Sequence, residues 1–496
     1  MIKLSKLLHE HTSLRDTDIA GVTADSRTVK PGYLFAALPG TQVDGADYIL
    51  KAIKAGAVAV LCRPDAVRAD VMAAHDSVIW IREDIPAQVF AHIAARFFDQ
   101  QPETVAAVTG TNGKTSVAAF TKQIWEHMGF KSGSVGTLGI NGPDSHQDTG
   151  MTTPDPVTLQ KAMRDLCEAG VDHVVFEASS HGLAQYRLDG MNVSVAAFTN
   201  LTRDHFDYHG TQEEYFNAKA RLFGEVMKPG SVAVLNADCP LVMEVADICG
   251  ARGHKVITIG HHSGDIRLLR QQTSEVGQDI TIGYQGEIYD LTLPLVGSFQ
   301  AMNALMAVGL VIGSEGNVDQ AFEALSHLRA VEGRMEQAGR HKSGARIYVD
   351  YAHTPDALET VLTAMRPHVK NKLAVVFGCG GDRDKGKRLI MGEVAAQFAD
   401  RTYVTDDNPR GETAADIRDQ IMQGCPGAMN IGDRASAIGQ AIADLKNGDI
   451  LLVAGKGHEQ GQIIDNKVVP FDDIAEIRSA LAAAPLQPSP QRRYGA

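Results

Sequence analysis

Short apolar runs alternate with helix-like stretches in the middle of the chain, and each run ends in a polar loop. The runs lie at residues 104–109, 171–176, 193–198 and 232–235. Residues 116–128 repeat with the helical period, and their apolar face is made of Val117, Phe120, Ile124 and Met128. Gly129 is expected to end this helix. Strands that alternate with helices predict a mainly parallel sheet covered on both faces.

The regions before and after this segment show the same alternation. Apolar runs at 57–62 and 77–81 precede a helix-like stretch at 86–98 and a polar linker at 99–102. Further strand-like runs lie at 346–349, 373–377, 402–404 and 450–453. We therefore predict an α/β protein with domains at residues 1–99, 100–330 and 331–484 and a disordered tail at 485–496.

Length and composition agree with this picture. A chain of 496 residues divides into three domains of about 150 residues each. Its content of 44% hydrophobic and 22% charged residues is typical of globular proteins. Acidic side chains number 60 against 47 Lys and Arg, a net charge of −13, so no nucleic-acid partner is expected.

Three sequence features point to a cytoplasmic protein without membrane insertion. No apolar run approaches the roughly 20 residues that span a bilayer. The first 14 residues become polar too early for the core of a signal peptide. The six cysteines are scattered without a Cys-x-x-Cys pair, which argues against a disulfide framework and a zinc site.

The loop after the run at 104–109 has the parts of a phosphate-binding cradle. It reads Gly110, Thr111, Asn112, Gly113, Lys114, Thr115 and Ser116. Backbone N–H groups and the start of the next helix suit phosphates, Lys114 suits their charge, and the Thr115 hydroxyl suits Mg²⁺. The spacing is shorter than the usual pattern, and the alternative is a glycine turn with a solvated lysine. The flanking strand and helix favour nucleotide binding.

Other loops that follow strands suggest a metal site and a second binding site. Glu177 and His205 follow neighbouring runs, where oxygen and imidazole ligands suit a divalent cation, although capped turns are the alternative. Lys219 has the context of a solvated helix lysine. In the third region, four polar loops lie at 350–353, 378–388, 406–410 and 455–459. Ligands bind outside the carboxyl ends of such strands, so these loops predict one site.

Jointly, these motifs resemble the Mur ligases of peptidoglycan synthesis, in order along essentially the whole chain. The shared stretches include Thr109-Gly-Thr-Asn-Gly-Lys-Thr115, Glu177-Ala-Ser-Ser-His181, Asn236-Ala-Asp238, Gly333-Arg-Met-Glu336 and Asp350-Tyr-Ala-His-Thr-Pro355. Residues 378–388, Asp407-Asn-Pro-Arg410 and Gly455-Lys-Gly-His-Glu459 resemble the members that add meso-diaminopimelate.

The resemblance implies an ATP-dependent amide ligase that uses Mg²⁺ to join meso-diaminopimelate to UDP-MurNAc-L-Ala-D-Glu in peptidoglycan precursor synthesis. It implies an N-terminal α/β domain for UDP, a central parallel-sheet P-loop ATPase domain and a C-terminal Rossmann-like domain. The D-Glu carboxylate would become an acyl phosphate, which the amine of diaminopimelate attacks. A monomer is expected.

The resemblance also assigns roles to individual residues. The catalytic and magnesium positions are Lys114, Thr115, Glu177, His205 and Lys219, the last as a carbamate. ATP is expected to contact Asn303 and Arg334 as well as the phosphate loop. The UDP moiety is assigned to Ala24, Ser26, Thr41, Gln42 and Val43. The muramyl-peptide is assigned to Thr152, Thr153, Ser179, Gln185 and Arg187.

The amino-acid site is expected to recognise a second amino–carboxylate centre. Arg383 and Arg410 offer planar guanidinium groups to carboxylate oxygens, and Gly455 leaves room for a backbone contact. The groups expected to accept from the ammonium are Asp407, Asn408 and Glu459. Lysine lacks the distal carboxylate, so a lysine-adding enzyme would not need Arg410. The alternative is that Arg410 only closes a turn after Pro409.

Two other functions share part of this pattern. Folylpolyglutamate synthetase has a similar phosphate loop and joins an amino acid to a carboxylate, but it would not explain the 407–410 stretch. A P-loop switch or motor would hydrolyse ATP or GTP without an amino-acid acceptor. Phosphate release with different acceptors separates the three.

Overall fold

The computed structural model describes residues 1–8, 14–40, 43–274, 277–465 and 467–483, with the side chain of Asp207 also left out. Within these residues the strands form five sheets, of eleven, six, four, two and two strands. None of the helices in the described ranges is both long enough and apolar enough to cross a membrane. The predicted tail at 485–496 lies outside the described residues.

The first region is a small parallel sheet covered by helices on both faces. Its elements are β1 (Ile2–Lys3), α1 (Leu4–Leu7), β2 (Asp18–Ile19), β3 (Gly21–Thr23), β4 (Tyr33–Ala36), α2 (Ile49–Lys54), β5 (Ala59–Cys62), α3 (Ala69–Ala74), β6 (Ile79–Arg82) and α4 (Pro86–Phe98). Strands β3 to β6 are neighbours in that order and parallel. Leu34 packs with Phe90 of α4, and the next residue, Phe35, packs with Ile49 of α2. Successive side chains of a strand face opposite sides, so both faces are buried.

The middle region contains the largest sheet. Its strands are β7 (Thr104–Thr109), β8 (Ser132–Gly136), β9 (Gly139–Asn141), β10 (His146–Gln147), β11 (His173–Glu177), β12 (Val195–Phe198), β13 (Val232–Asn236), β14 (Lys255–Gly260), β15 (Ile266–Thr273), β16 (Gln278–Tyr284) and β17 (Glu287–Leu293). Its helices are α5 (Lys114–His127), α6 (Pro156–Glu168), α7 (Ser180–Ala184), α8 (Phe206–His209), α9 (Gln212–Arg221), α10 (Val242–Ala251), α11 (Phe299–Gly313) and α12 (Val318–Ala324).

Strand β7 lies near the middle of this sheet, between β11 and β12, with all three parallel. Val108 belongs to the core on the side of α5 and α11, whereas Ala107 belongs to the core on the side of α6. The loops that follow β7, β11 and β12 therefore meet at one edge of the sheet. That edge carries the phosphate loop, Glu177 and the stretch that contains His205.

The third region is a six-stranded sheet in the described part of the chain. Its elements are β18 (Glu336–Arg340), β19 (Arg346–Asp350), α13 (Pro355–Met365), β20 (Leu373–Phe377), α14 (Gly386–Phe398), β21 (Arg401–Val404), α15 (Ala414–Met422), β22 (Met429–Asn430), α16 (Arg434–Ala443), β23 (Ile450–Ala454), β24 (Gly461–Ile464), β25 (Lys467–Pro470) and α17 (Asp473–Ala483). The order is β18-β19-β23-β20-β21-β22, and only β18 is antiparallel to its neighbour. Strands β24 and β25 form a separate hairpin.

Candidate active site

The loop at 110–113 joins β7 to α5 and requires glycine at both ends. Gly110 and Gly113 have φ angles of 143° and 88°. A Cβ on Gly110 would lie 1.9 Å from Oγ1 of Thr199, and one on Gly113 would lie 2.5 Å from Oδ1 of Asn303. No side chain fits at either position, and Gly113 caps α5, whose first N–H groups are oriented for an anion.

Lys114 is folded back onto its own loop. Its Nζ donates to the carbonyl oxygens of Gly110 at 2.9 Å and Thr111 at 2.7 Å. Burial lowers the pKa of Lys114, and the nearby carboxylates of Glu177 and Asp204 act in the opposite direction. In the described structure the hydrogen bonds of this ammonium thus go to neutral backbone oxygens of the loop.

Lys219 is a buried lysine without a carboxylate partner in the described structure. The residue is 1% exposed, its Nζ donates to the Gly110 oxygen at 2.8 Å, and it lies 4.4 Å from the centre of the Tyr215 ring. Burial, reinforced by the charge of Lys114, lowers its pKa well below the ordinary value, while Asp204 opposes this shift. The environment favours the neutral amine, which is the form that reacts with CO₂.

Glu177 ends β11 and is surrounded by hydroxyl groups. Its Oε2 accepts from Oγ1 of Thr115 at 3.0 Å and from Oγ1 of Thr137 at 3.2 Å, and its Oε1 accepts from the Thr137 N–H at 2.8 Å. Glu177 is 3% exposed, and a Cβ on Gly136 would lie 2.2 Å from Oε1. The carboxylate is thus fixed beside the hydroxyl of Thr115, in the first turn of α5.

His205 and Asp204 face this group from the loop after β12. Nε2 of His205 lies 3.3 Å from Oδ2 of Asp204. Burial, together with His181 and the two lysines, lowers the pKa of His205 to about 3, although Asp204 opposes the shift. Burial would raise the pKa of Asp204, but His205, His353 and Lys114 hold it below its usual value. A neutral imidazole and several oxygen donors make a set that suits a hard divalent cation.

Most of the predicted ATP and metal positions line one cavity of about 460 Å³ between the middle and third regions. The predicted residues in its wall are Thr111, Asn112, Gly113, Lys114, Thr115, Ser116, Thr152, Glu177, Ser179, His205, Lys219, Asn303 and Arg334. The third region closes the cavity through Asp356, which accepts from Nδ2 of Asn112 at 2.8 Å. Arg334 donates from Nη2 to Thr115 at 3.3 Å and stacks 4.3 Å from the centre of the Tyr351 ring.

A neighbouring cavity of about 650 Å³ shares Asn200, Phe299 and Asn303 with the first. Its other walls include Asn236, Asp238, His261 and Met302. It therefore combines apolar surface with hydrogen-bonding groups next to the phosphate loop, which suits a purine base.

The predicted muramyl-peptide residues form a hydrogen-bonded group beside the main cavity. Oγ1 of Thr153 donates to the Glu177 carbonyl at 2.7 Å and accepts from the Ser179 N–H at 3.0 Å. Arg187 donates from Nη1 to the Thr153 carbonyl at 2.6 Å and from Nη2 to Oε1 of Gln185 at 2.6 Å. Thr152 lies in the cavity wall, 3.0 Å from the hydroxyl of Thr137.

The predicted UDP residues lie apart from this cavity, in the first region. Ala24 and Ser26 follow β3, and Val43 lies in the loop after β4, its parallel neighbour. Ser26 is buried, whereas Val43 is 59% exposed. Thr41 and Gln42 lie outside the described residues. The three described positions share one edge of the N-terminal sheet, at the carboxyl ends of adjacent strands.

The four polar loops of the third region surround one cavity of about 250 Å³. The predicted amino-acid residues in its wall are Arg383, Asp407, Asn408, Arg410, Gly455 and Glu459, whereas Pro409 does not line it. Asp204, His205, Tyr351 and His353 line both this cavity and the one at the phosphate loop. The two spaces are therefore adjacent, with no domain between them.

The cavity of about 250 Å³ is called the second cavity from here on, and its charged groups differ in their hydrogen-bond partners. The carboxylate of Asp407, at 7% exposure, has no hydrogen-bond partner among the described residues, and a Cβ on Gly455 would lie 2.7 Å from its Oδ2. Arg410 has a φ of 52°, and its Nη1 donates to the Gly381 carbonyl at 2.9 Å. Burial and the charge of Arg383 lower the pKa of Arg410. The cavity thus contains a carboxylate without a partner in the described structure, that of Asp407, and a partly buried guanidinium, that of Arg410.

Several residues of the site do not stand out in the sequence. Thr137, which donates twice to Glu177, follows β8 and belongs to none of the motifs. Asp356 lies just beyond the Asp350–Pro355 motif and reaches Asn112 across 244 positions of sequence. Lys456 sits inside the Gly455–Glu459 motif but is fully buried. Only their position just after a strand or motif offered a signal.

Comparisons with known proteins agree with this geometry. Family models match at residues 18–98 (Mur ligase family, catalytic domain), 108–311 (Mur ligase middle domain) and 333–457 (Mur ligase, glutamate ligase domain). UDP-N-acetylmuramoyl-L-alanyl-D-glutamate–2,6-diaminopimelate ligase from Zymomonas mobilis is 48% identical over 471 residues, or 94% of this chain and 96% of the relative. The chain belongs to the Mur ligase family. The predicted family, α/β fold class and ligase class are confirmed.

Solved structures place this Mur ligase among the same folds. A structure of UDP-N-acetylmuramoyl-L-alanyl-D-glutamate–2,6-diaminopimelate ligase superposes with a TM-score of 0.70 at 31% identity and covers 97% of this chain and 99% of that one. Mycobacterium tuberculosis folylpolyglutamate synthase complexed with ADP has a TM-score of 0.62 at 20% identity and covers 75% and 91% of the two chains. The second likeness shows a shared fold alone.

Proposed function

We propose that this Mur ligase uses ATP to join meso-diaminopimelate to UDP-MurNAc-L-Ala-D-Glu, in peptidoglycan precursor synthesis. One observation carries the proposal. The cavity at the phosphate loop adjoins a second cavity that holds three guanidinium groups and an unpartnered carboxylate. A carboxylate activated in the first cavity would meet an amine bound in the second.

ATP binding is assigned to the phosphate loop and its surroundings. The loop N–H groups and Lys114 would bind the phosphates, because the Lys114 ammonium is held there only by the carbonyls of Gly110 and Thr111. Arg334 reaches the same place from the third region. The neighbouring cavity beyond Asn303 would receive the base. Ser116 lies in the first turn of α5 and in the wall of the same cavity.

Mg²⁺ is assigned to Thr115, Glu177, His205 and a carbamate on Lys219. The observations that fit such an ion are the oxygen donors around Glu177 and the imidazole of His205 in its neutral form. A carbamate would replace the ammonium of the buried Lys219 with an anionic oxygen ligand for the ion, and the ion would in turn pair that buried negative charge. When bound, Mg²⁺ supplies positive charge that offsets the repulsion between phosphate and carboxylate.

The amino-acid assignment rests on matching charge and number. Diaminopimelate carries two carboxylates. Of the three arginines that line the second cavity, Arg203 pairs with Asp384, whereas Arg383 and Arg410 have no carboxylate partner in the described structure. The carboxylate of Asp407, buried and without a hydrogen-bond partner in the described structure, would take the distal ammonium together with Glu459. Asn408 and Gly455 complete the wall, and Pro409 sets the course of the chain before Arg410.

The remaining substrate contacts extend to the first region. Thr152, Thr153, Ser179, Gln185 and Arg187 would bind the muramyl-peptide, and Ala24, Ser26 and Val43 would bind the UDP moiety. In this proposal the domain at 1–99 binds UDP, the domain at 100–330 binds ATP, and the domain at 331–484 binds the amino acid. A cytoplasmic location is proposed because both ATP and a nucleotide-linked substrate are consumed, and the expected monomer stays a prediction.

The chain's own residues would carry the reaction by alignment and charge. Lys114 and Arg334 would hold the phosphates, so that the D-Glu carboxylate can attack the terminal phosphorus, displace ADP and form the acyl phosphate. Arg383 and Arg410 would hold the amino acid with its reacting amine toward the first cavity. The unprotonated amine would then attack the acyl carbon, phosphate would leave, and the amide would form as its nitrogen gives up one proton to solvent or to the departing phosphate.

The test is phosphate release from ATP in the presence of UDP-MurNAc-L-Ala-D-Glu and one amino acid. Release is expected with meso-diaminopimelate and with neither lysine nor glutamate. A strong response to glutamate on a folate acceptor would favour folylpolyglutamate synthetase instead. Release without any amino acid would favour a nucleotide switch and defeat the proposal.

A further inference from the structure

Lys456 is a fully buried lysine directly beneath the second cavity. It follows β23, has 0% exposure, and is not among the residues that line the cavity. Its Nζ donates to Oδ1 of Asn408 and to Oε2 of Glu459, both at 3.0 Å. Burying an ammonium is costly unless it is paired, so both partners are needed where they lie.

These contacts fix one edge of the Glu459 carboxylate and leave the other edge free. Nδ2 of Asn408 donates to the same Oε2 at 2.9 Å, and the Ile463 N–H donates to Oδ1 of Asn408 at 3.0 Å. Oε1 of Glu459 has no hydrogen-bond partner in the described structure. Lys456 and Asn408 therefore hold the carboxylate through Oε2. Glu459 lines the cavity, and its Oε1 remains available for a ligand there.

Lys456 also sets the net charge of the site. The charged residues that line the cavity balance: Arg203, Arg383, Lys387 and Arg410 against Asp204, Asp384, Asp407 and Glu459. The buried ammonium adds one positive charge. Diaminopimelate with its reacting amine unprotonated carries one net negative charge, whereas lysine in the same form is neutral. Removing Lys456 would thus weaken the binding of diaminopimelate more than the binding of free lysine.

We propose that Lys456 is a positioning residue for the amino acid: it holds Glu459 toward the substrate ammonium and supplies the charge that favours a dicarboxylate. The proposal rests on the function proposed above for this cavity. Lys456 would act through Glu459 and would not touch the substrate itself.

The test compares wild type, Lys456→Met, Glu459→Gln and the double variant in the phosphate-release assay. Lys456→Met is expected to raise the KM for diaminopimelate on the order of tenfold, with the KM for ATP unchanged. Its preference for diaminopimelate over lysine should fall as well. In the Glu459→Gln background the second substitution should raise this KM less than it does in wild type, because the positioning effect needs the Glu459 carboxylate.

A matched control separates positioning from loss of stability. Arg401 lies at the start of β21, at the opposite edge of the same sheet, where its Nη1 donates to the Asp444 carbonyl at 2.8 Å. Arg401→Met should lower the melting temperature without changing the KM for diaminopimelate. Where Lys456→Met does not fold, Lys456→Gln carries the test, since it keeps an N–H donor without the charge.

The outcomes are distinct. A folded Lys456 variant with an unchanged KM for diaminopimelate overturns the positioning role, as do effects of Lys456 and Glu459 that add in full. Wild-type protein that shows no response to diaminopimelate defeats the proposed function instead, whatever the variants do.

Discussion

The buried Nζ of Lys219 and the Nζ of Lys114 donate to the same carbonyl oxygen, that of Gly110, at 2.8 and 2.9 Å. Two ammonium groups that share one neutral acceptor repel each other. Burial and this repulsion lower the pKa of Lys219. The arrangement is relieved when Lys219 loses its proton, and relieved further if the amine gains a negative charge.

We therefore expect activity to depend on dissolved CO₂. A neutral amine can add CO₂ to form a carbamate, so degassed, bicarbonate-free buffer should lower the rate and added bicarbonate should restore it. Lys219→Ala should lose at least about 10²-fold in kcat, by removing a ligand of the proposed metal site, and should not respond to bicarbonate. A carbamate in the electron density of a crystal would confirm the chemistry. Near-normal activity of Lys219→Ala would exclude it.

Lys114→Ala should abolish turnover and leave the fold intact. The hydrogen bonds of the side chain in the described structure go to two carbonyls of its own loop, so the fold should survive their loss, whereas the transferring phosphoryl group loses a cation worth on the order of 10³-fold in kcat. Lys122→Ala is the matched control, since Lys122 lies on the same helix and pairs with Glu126. The two variants should differ in rate and melt alike, and equal rates would contradict the assignment.

Gly113→Ala should abolish ATP binding for a steric reason. The new Cβ would lie 2.5 Å from Oδ1 of Asn303, at a residue with a φ of 88°. Gly129 has the same φ, but nothing lies within 4 Å of a Cβ placed there. Gly129→Ala should thus cost only about 1–2 kcal/mol of stability through backbone strain. Calorimetric titration with an ATP analogue separates the two effects, and equal affinities would contradict the close fit of the loop.

Local pattern predicts much of this fold because buried strands and helices leave a periodic signal. The strands Thr104–Thr109 and Leu373–Phe377 and the helix Pro86–Phe98 have the predicted bounds. Helix α5 begins earlier than predicted, at Lys114, because the positive φ of Gly113 lets it start directly after the loop. Strands β15 to β17 were not predicted, since exposed apolar residues such as Leu269 and Ile288 interrupt their alternation.

The site could be predicted only where its residues form motifs. The phosphate loop and the 407–410 stretch are each a continuous run of residues, and the residue types in each run indicate what it binds. The contacts that position them include pairs that are distant in sequence: Thr137 with Glu177, and Asp356 with Asn112 across two domains. Such pairs leave no local pattern. Lys456 and Glu459 lie three positions apart in one motif, where the sequence does not show that Lys456 is buried.

Arg410→Ala should chiefly raise the KM for diaminopimelate. Its guanidinium lines the second cavity, and the proposed contact is present in both the ground and transition states, so kcat should change little. An increase on the order of tenfold to a hundredfold is expected for a lost charge-assisted contact. Arg366→Ala, which removes a surface pair with Asp400, is the control. A loss of ATP affinity instead of diaminopimelate affinity would mean that the site is wrongly assigned.

The stability of the third region should depend on pH through Glu412. Its carboxylate accepts from both Nη1 and Nη2 of the fully buried Arg388, at 3.0 and 2.9 Å. The hydrogen bonds from Arg388, assisted by the Asp382 N–H and Lys385, lower the pKa of Glu412 from 4.5 to about 2, although burial opposes the shift. A carboxyl with a depressed pKa stabilises the folded state above its unfolded value, and this contribution is lost as the pH falls toward about 2.

Glu412→Gln should therefore destabilise the protein by about 2 kcal/mol at pH 7, because it leaves the buried Arg388 without its anion. The difference from wild type should shrink as the pH falls below about 4.5, where the wild-type carboxylate begins to lose its advantage. Urea unfolding between pH 7 and pH 3 measures the effect. Glu126→Gln, which breaks an exposed pair with Lys122, should change stability by less than about 0.5 kcal/mol at each pH. A Glu412→Gln difference that stays constant across this range would show that the ion pair does not carry the stabilisation.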